Sequence, residues 1–178
     1  GCGGPLEEEV RRAGMTFHPV EFRKNPAAGP GRTLIRLLAS QGFDLLHTHG
    51  GVAGLYGRRA ARRAGTPVVV HTIHGIHYLH YRNPLLRRAA VLLERILSRS
   101  TSAVVCVSEA DLAQARRHRL APDGRLRLVR NGVPSIEAAS DPDRVSRGRA
   151  LCSELKLRAP VIGTVARLHR QKVVEYFV

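Results

Sequence analysis

Residues 67–75 read PVVVHTIHG. A proline opens the run, three valines follow, and a histidine and a glycine close it. Branched side chains favour the extended backbone. A strand this continuously apolar predicts a place inside a parallel sheet covered on both faces. Working outward, residues 51–65 (GVAGLYGRRAARRAG) read as a helix with Ala53, Gly54 and Gly57 on one side for close packing. Residues 84–100 (PLLRRAAVLLERILSRS) read as a second helix, with Pro84 in its first turn. Its apolar positions 85, 86, 89, 92, 93, 96 and 97 keep helical spacing.

The same alternation continues in both directions. Towards the N-terminus come a strand at 43–49, a helix at 33–41, a loop at 21–31 containing Lys24 and Asn25, a short strand at 15–20 and a helix at 5–13 that stops at Gly14. Towards the C-terminus come a strand at 102–107, a helix at 109–119 and a strand at 126–133. Ser108 is placed to cap the helix at 109–119, with Asp111 completing a capping-box arrangement. Residues 135–150 are polar and read as a linker or crossover, and 160–168 begins another apolar strand. Helices alternating with such strands predict an α/β fold with a doubly wound, Rossmann-like parallel sheet. Ligands of these sheets bind beyond the carboxyl ends of the strands. His47, His49, Thr72, His74, Ser108 and Glu109 fall there.

Composition narrows the class. The chain has 178 residues, 43% of them hydrophobic, so it can bury a core. No apolar run approaches the length of about 18 residues needed to span a bilayer, and no signal peptide opens the chain. Cys2, Cys106 and Cys152 are widely spaced and fit neither a disulfide framework nor a zinc motif. They read as reduced thiols in a cytoplasmic protein, with Cys106 a small buried residue in AVVCV. The net charge is +15, and apart from Lys24, Lys156 and Lys172 all 29 basic residues are arginine. That bias reflects either a GC-rich coding sequence or attraction to anionic partners. The clusters Arg58/Arg59, Arg62/Arg63, Arg87/Arg88 and Arg116/Arg117 lie in segments almost without aromatics. Nucleic-acid binding, which stacks bases on aromatic rings, therefore ranks below an anionic membrane surface.

Three constellations can carry chemistry. His47-Thr48-His49-Gly50-Gly51 puts two imidazoles on one face of a strand end and a glycine pair at a helix start. It reads as the lining of a ligand cleft, as packing, or as a metal pair of the hydrolase kind. His71, His74, His77 and His80 recur at three-residue intervals, and His74 is well placed to hydrogen-bond a ligand. Arg167 ends an apolar strand and Lys172 follows five residues on, a pair of cations suited to a diphosphate or to an ordinary basic loop. There is no paired carboxylate, nucleophile elbow or Walker-type loop.

The segments HTHGGVAGLYGRRAARRAGTPVVVHTIHG (47–75), VVCVSEADLAQ (104–114), LRLVRNGV (126–133) and VIGTVARLHRQK (161–172), in that order, resemble family four of the glycosyltransferases. The resemblance implies a GT-B architecture of two Rossmann-like domains facing across a cleft. It implies an acceptor-side domain at 1–134, a linker or crossover at 135–158, and the start of a nucleotide-sugar-binding domain at 159–178. His74 falls on the histidine that reaches the donor sugar, and Arg167 and Lys172 fall on the basic pair that holds the donor diphosphate. His49, Gly50, Gly51, Thr72, Ser108 and Glu109 are expected along the acceptor-side cleft. The implied activity is metal-independent, retaining sugar transfer from a nucleotide-sugar, a co-substrate with no further cofactor, to a glycan or lipid-linked acceptor. The implied location is cytoplasmic, peripheral to the inner face of the membrane. Val173 stands where a glycine is usual, and the family's E-x7-E element and first glycine-rich loop are not among these residues. The chain is thus expected to be an incomplete enzyme, inactive alone. A GT-B-type epimerase, a metal-dependent hydrolase using His47 and His49, and a non-catalytic basic binding module remain as alternatives.

Overall fold

Four strands of branched and aliphatic residues line up in parallel, each joined to the next through a helix. The computed structural model describes residues 4–20, 30–132, 141–158 and 160–163. The chain divides into two compact units, Gly1–Asn131 and Gly132–Val178.

In the first unit the order is α1 (Pro5–Arg12), α2 (Pro30–Gln41), β1 (Leu45–His49), α3 (Gly51–Ala64), β2 (Val68–Ile73), α4 (Pro84–Ser98), β3 (Ala103–Cys106), α5 (Glu109–Arg117) and β4 (Leu126–Leu128). The sheet runs β1-β2-β3-β4, all parallel, with Thr48 beside His71, His71 beside Val104 and Val104 beside Leu126. This is the expected α/β, Rossmann-like class. The strands follow chain order, so the reversal that makes a sheet doubly wound is not among the described strands.

That order has a consequence for the faces. Successive right-handed crossovers in one direction put their helices on one side of the sheet. Leu46, Thr48, Val69, His71, Ile73, Val104, Cys106 and Leu126 turn to that side, and most are buried. One core cluster gathers Leu38 of α2, Ala60 and Ala61 of α3 and Val69. The other gathers Ile73, Ile76, Val104, Cys106, Ala115 of α5, Leu120 and Leu126. The opposite side is half open: Leu45 and Val68 are exposed and Val70 only partly covered. Cover on both faces, as the valine run implied, is therefore not seen among the described residues.

Local signals explain the boundaries. Asn83 caps α4, its side chain accepting from the amides of Leu85 and Leu86. Ser108 caps α5 and accepts from Asp111 N at 3.1 Å. Gly65 ends α3 at φ 75°, a left-handed turn that glycine adopts freely. Gly54 and Gly57 do pack closely. A Cβ on Gly54 would lie 2.4 Å from the His71 ring, and one on Gly57 2.5 Å from Thr48 Cγ2.

Several boundaries depart from expectation. Residues 15–20 join no strand; Pro19 offers no amide to a ladder. Helix α2 starts three residues early, at Pro30. Helix α5 ends at Arg117, where Arg119 turns to φ 47° and Leu120 donates back to Ala115. Strand β4 stops at Leu128 rather than 133. The polar stretch read as a linker contains α6 (Pro142–Glu154), started by an Asp141 cap and a proline in its first turn. It buries no residue, so it carries no apolar periodicity to read. Residues 160–163 form no strand, and 164–168 lie outside the described residues.

Candidate functional site

At the carboxyl ends of β1 and β2 three imidazoles stand in a row. His47 and His49 alternate onto the open side of β1, and His74 follows directly after β2. His49 is in register with Thr72. His47 Nε2 lies 2.8 Å from Thr72 Oγ1, and His49 Nδ1 lies 3.0 Å from His74 Nε2. The ring centroids of His47 and His49 are 4.2 Å apart and those of His49 and His74 5.3 Å apart. A hydrogen bond between the two rings requires one nitrogen to donate and the other to accept. Burial lowers the His47 pKa, and the neighbouring His49 and His74 lower it further. Lowering its pKa favours the neutral His47 imidazole, whose ring can both donate to and accept from hydroxyl groups.

The backbone around the row is open to a ligand. Gly50 takes φ 73° and its amide donates to Thr72 O at 3.2 Å, extending the β1–β2 ladder past the strand end. Helix α3 then begins at Gly51 with no side chain capping its first amides. Gly75, at φ 99°, turns the chain after His74 into the 3-10 turn His77–His80.

Structure therefore brings together His47, His49, Gly50, Gly51, Thr72 and His74. Ser108 and Glu109 are committed elsewhere. The Ser108 hydroxyl donates to Asp111 Oδ2 at 2.6 Å, and Glu109 pairs with Arg130. Arg167 and Lys172 lie outside the described residues, as do Lys24 and Asn25.

The four regularly spaced histidines separate. His71 is buried on the packed side, with Nδ1 2.9 Å from Thr48 Oγ1 and its ring against Gly54. Desolvation first, then the Arg58 charge, takes its pKa down to about 4. Among the described residues no group of three His, Cys, Asp or Glu side chains is placed to hold a metal ion. The metal-hydrolase alternative gains no support. Cys106 is fully buried, and burial, followed by the nearby Asp111, raises its thiol pKa to about 11, so it is an inert core residue.

One arginine behaves differently from its cluster. Arg58 is buried, with Nη1 and Nη2 2.6 and 2.8 Å from the two carboxylate oxygens of Glu94 and Nε donating to Gly54 O at 3.0 Å. It is therefore not available to an anionic partner, because its charge is already neutralised inside the fold. The readable signal was Glu94, a lone carboxylate among the apolar residues of α4. The Tyr78 hydroxyl is buried without a hydrogen-bond partner, and burial followed by the Glu94 charge raises its pKa. A groove of 230 Å³ between α3 and α4 is lined by Arg58, Arg59, Arg62 and Arg63 over Leu93 and Ile96. It sits towards the amino ends of the strands, away from the imidazole row.

The chain matches the sequence pattern of Glycosyltransferase Family 4 over residues 1–135. It belongs to that family. It is 28% identical over 145 residues to the UDP-Gal:alpha-D-GlcNAc-diphosphoundecaprenol alpha-1,3-galactosyltransferase of Escherichia coli, covering 82% of this chain and 37% of that protein. It also superposes on the crystal structure of a glycosyltransferase from Rickettsia africae ESF-5 with a TM-score of 0.62 and 16% identity, covering 89% of this chain and 41% of the other. The second likeness is one of fold. The family 4 chain thus spans well under half the length of each of these relatives. No helix among the described residues is long and apolar enough to cross a membrane.

Proposed function

We propose that this family 4 chain is the acceptor-side half of a retaining glycosyltransferase that moves a sugar from a nucleotide-sugar to a lipid-linked acceptor. The observation that carries the reading is the imidazole row at the carboxyl ends of β1 and β2, the end of such a sheet where ligands bind. Its hydroxyl-recognising chemistry suits a sugar. The galactosyltransferase relative, whose acceptor is a diphosphoundecaprenol-linked sugar, supports a lipid-linked acceptor here.

In the proposed reaction the bond between the anomeric carbon and the diphosphate oxygen breaks, and the nucleoside diphosphate leaves with the electron pair. The acceptor hydroxyl bonds to the same face of the anomeric carbon and passes its proton to the departing diphosphate oxygen. His74 hydrogen-bonds a donor-sugar hydroxyl, with its ring held by His49. Arg167 and Lys172 hold the leaving diphosphate and take the place of a metal ion, as positive charge near a departing phosphate lowers the barrier. Residues 159–178 begin the nucleotide-sugar domain, residues 1–134 are the acceptor-side domain, and 135–158 connect them. The enzyme works in the cytoplasm at the inner face of the membrane, and the 178-residue chain alone does not turn over.

The test uses the full-length protein carrying this chain, a panel of UDP- and GDP-sugars, and a polyprenyl-diphosphate-linked acceptor. Nucleotide release is expected with one donor, unaffected by EDTA, and His74→Ala should lower it by about 100-fold or more. Release that ignores His74→Ala, or that EDTA abolishes and zinc restores, overturns the reading. Epimerised nucleotide-sugar without transfer would favour the epimerase instead.

A further inference from the structure

His47 is the ring of the imidazole row to which the proposed reaction gives no task. Its Nε2 lies 2.8 Å from Thr72 Oγ1, and Thr72 is 5% exposed. The Thr72 backbone is fixed in turn, its carbonyl accepting from the Gly50 amide at 3.2 Å. One edge of the His47 ring is therefore held against a buried hydroxyl while the residue as a whole stays exposed. Among the described residues nothing bonds its other nitrogen, Nδ1.

The surroundings decide what that nitrogen can bind. Burial, His49 and His74 are what shift its protonation, and all three favour the neutral ring. No arginine or lysine is among them, so a phosphate here would meet no cation. A neutral imidazole nitrogen instead bonds hydroxyl or amide groups.

The place along the row narrows the ligand further. Sugar transfer joins two sugars, so both must lie side by side at the site. The imidazoles are themselves side by side, with 4.2 Å between the centroids of His47 and His49 and 5.3 Å between those of His49 and His74. His49 spends Nδ1 on His74 and so belongs with the donor end. A sugar whose hydroxyl bonds His74 leaves the His47 edge, two rings along, to its neighbour.

We propose that His47, anchored by Thr72, is a specificity residue for the acceptor sugar, its Nδ1 bonding a hydroxyl or acetamido group of the neutral sugar that receives the transfer. The proposal rests on the transferase reading above and adds the chemistry of the acceptor at this position. No bond is made or broken at His47; the ring fixes where the acceptor sugar lies. It selects for sugars that carry a hydrogen-bonding group at the matching carbon and against those deoxygenated there.

The test uses the full-length protein carrying this chain, the nucleotide-sugar it cleaves, and short-chain prenyl diphosphates of N-acetylglucosamine, glucose and galactose as soluble acceptors. His47→Ala should raise the KM of the best acceptor by about tenfold or more, while the donor KM moves by less than about twofold. His74→Ala should show the converse split. His47→Asn, which keeps a polar group, should recover part of the acceptor affinity. Thr72→Val frees the ring and should raise the acceptor KM several-fold, and Thr72→Ser should restore it. Urea midpoints check the fold of each variant, and if Thr72→Val unfolds, the two His47 variants decide. An unchanged acceptor KM in His47→Ala overturns the proposal, as do equal rises in both KM values or a rise confined to the donor.

A second readout needs no turnover. Saturation-transfer NMR on the same protein without nucleotide-sugar, using the methyl α-glycosides of the same three sugars, should show at least one bound and the signal lost in His47→Ala. That result supports the acceptor role of His47 even where no nucleotide is released, so it separates this proposal from the transferase reading. Where turnover is seen, the KM split decides; where neither turnover nor glycoside binding is seen, the proposal falls. Nucleotide release with acceptor kinetics indifferent to His47 removes this proposal and leaves the transferase reading standing.

Discussion

His71 and His74 are three residues apart, yet they belong to opposite sides of the same sheet. His71 sits on the packed side between Thr48 and Gly54, is 2% exposed, and has its pKa pressed down to about 4. His74 is exposed at the strand end and shares a hydrogen bond with His49. Residue type and spacing are the same; the direction of the side chain decides the role. On the packed side polar groups are spent on one another: Arg58 on Glu94, Thr48 on His71. On the open side Thr72 is buried and bonded to His47, while the rings of His47, His49 and His74 stay exposed. Substitutions on the packed side should therefore change stability, and those on the open side activity.

The largest expected effect breaks the packed side. Glu94→Ala leaves the Arg58 guanidinium buried without its carboxylate, and unfolding in urea should show a loss of about 3–5 kcal/mol. Replacing both partners, Arg58→Met with Glu94→Leu, should be far milder, because no unpaired charge remains. If the double replacement costs as much as the single one, the pair contributes shape and not charge.

A smaller effect comes from His71 as pH changes. Unfolded, its imidazole titrates near 6.5; folded, near 4. Above pH 6.5 neither state carries the proton, and the stability linked to this group is fully present. As pH falls from 6.5 towards 4, the unfolded chain takes a proton that the folded chain refuses, so stability drops. Below 4 both states are protonated and the loss from this group stops growing. The total is on the order of 3 kcal/mol. A folded His71→Asn variant should show a flatter stability profile between pH 6.5 and 4 than the wild type. Parallel profiles would mean that the ring is solvated when folded.

Much of this division was readable in the sequence. Continuous apolar runs marked β2 and β3, small residues on one side marked α3, helical spacing marked α4, and the carboxyl-end rule placed His47, His49, Thr72 and His74 together. Capping chemistry placed Ser108 correctly in space, and the spacing to Asp111 already announced the contact that engages its hydroxyl. The Arg58–Glu94 pair joins positions 36 apart, so only the tertiary fold brings it about. Residues 15–20 looked like a strand because a local apolar pattern does not show whether a neighbour exists to pair with. Helix α6 was hidden for the opposite reason: a cap announces it, but no buried face does.

The smallest expected stability change belongs to the exposed imidazole row. His49→Ala removes a ring that is exposed and whose bond to His74 lies in water's reach. Surface substitutions of this kind shift stability by about 0.5 kcal/mol or less. Its consequence should fall on function. Without His49 Nδ1, the His74 ring loses the partner that fixes its orientation, so nucleotide release by the full-length protein should fall while the urea midpoint stays put. His49→Asn, which restores a polar group near the same place, should recover part of the activity. A midpoint shift as large as that of Glu94→Ala would show that the imidazole row is packing rather than a site, and the two sides of the sheet would then no longer differ in kind.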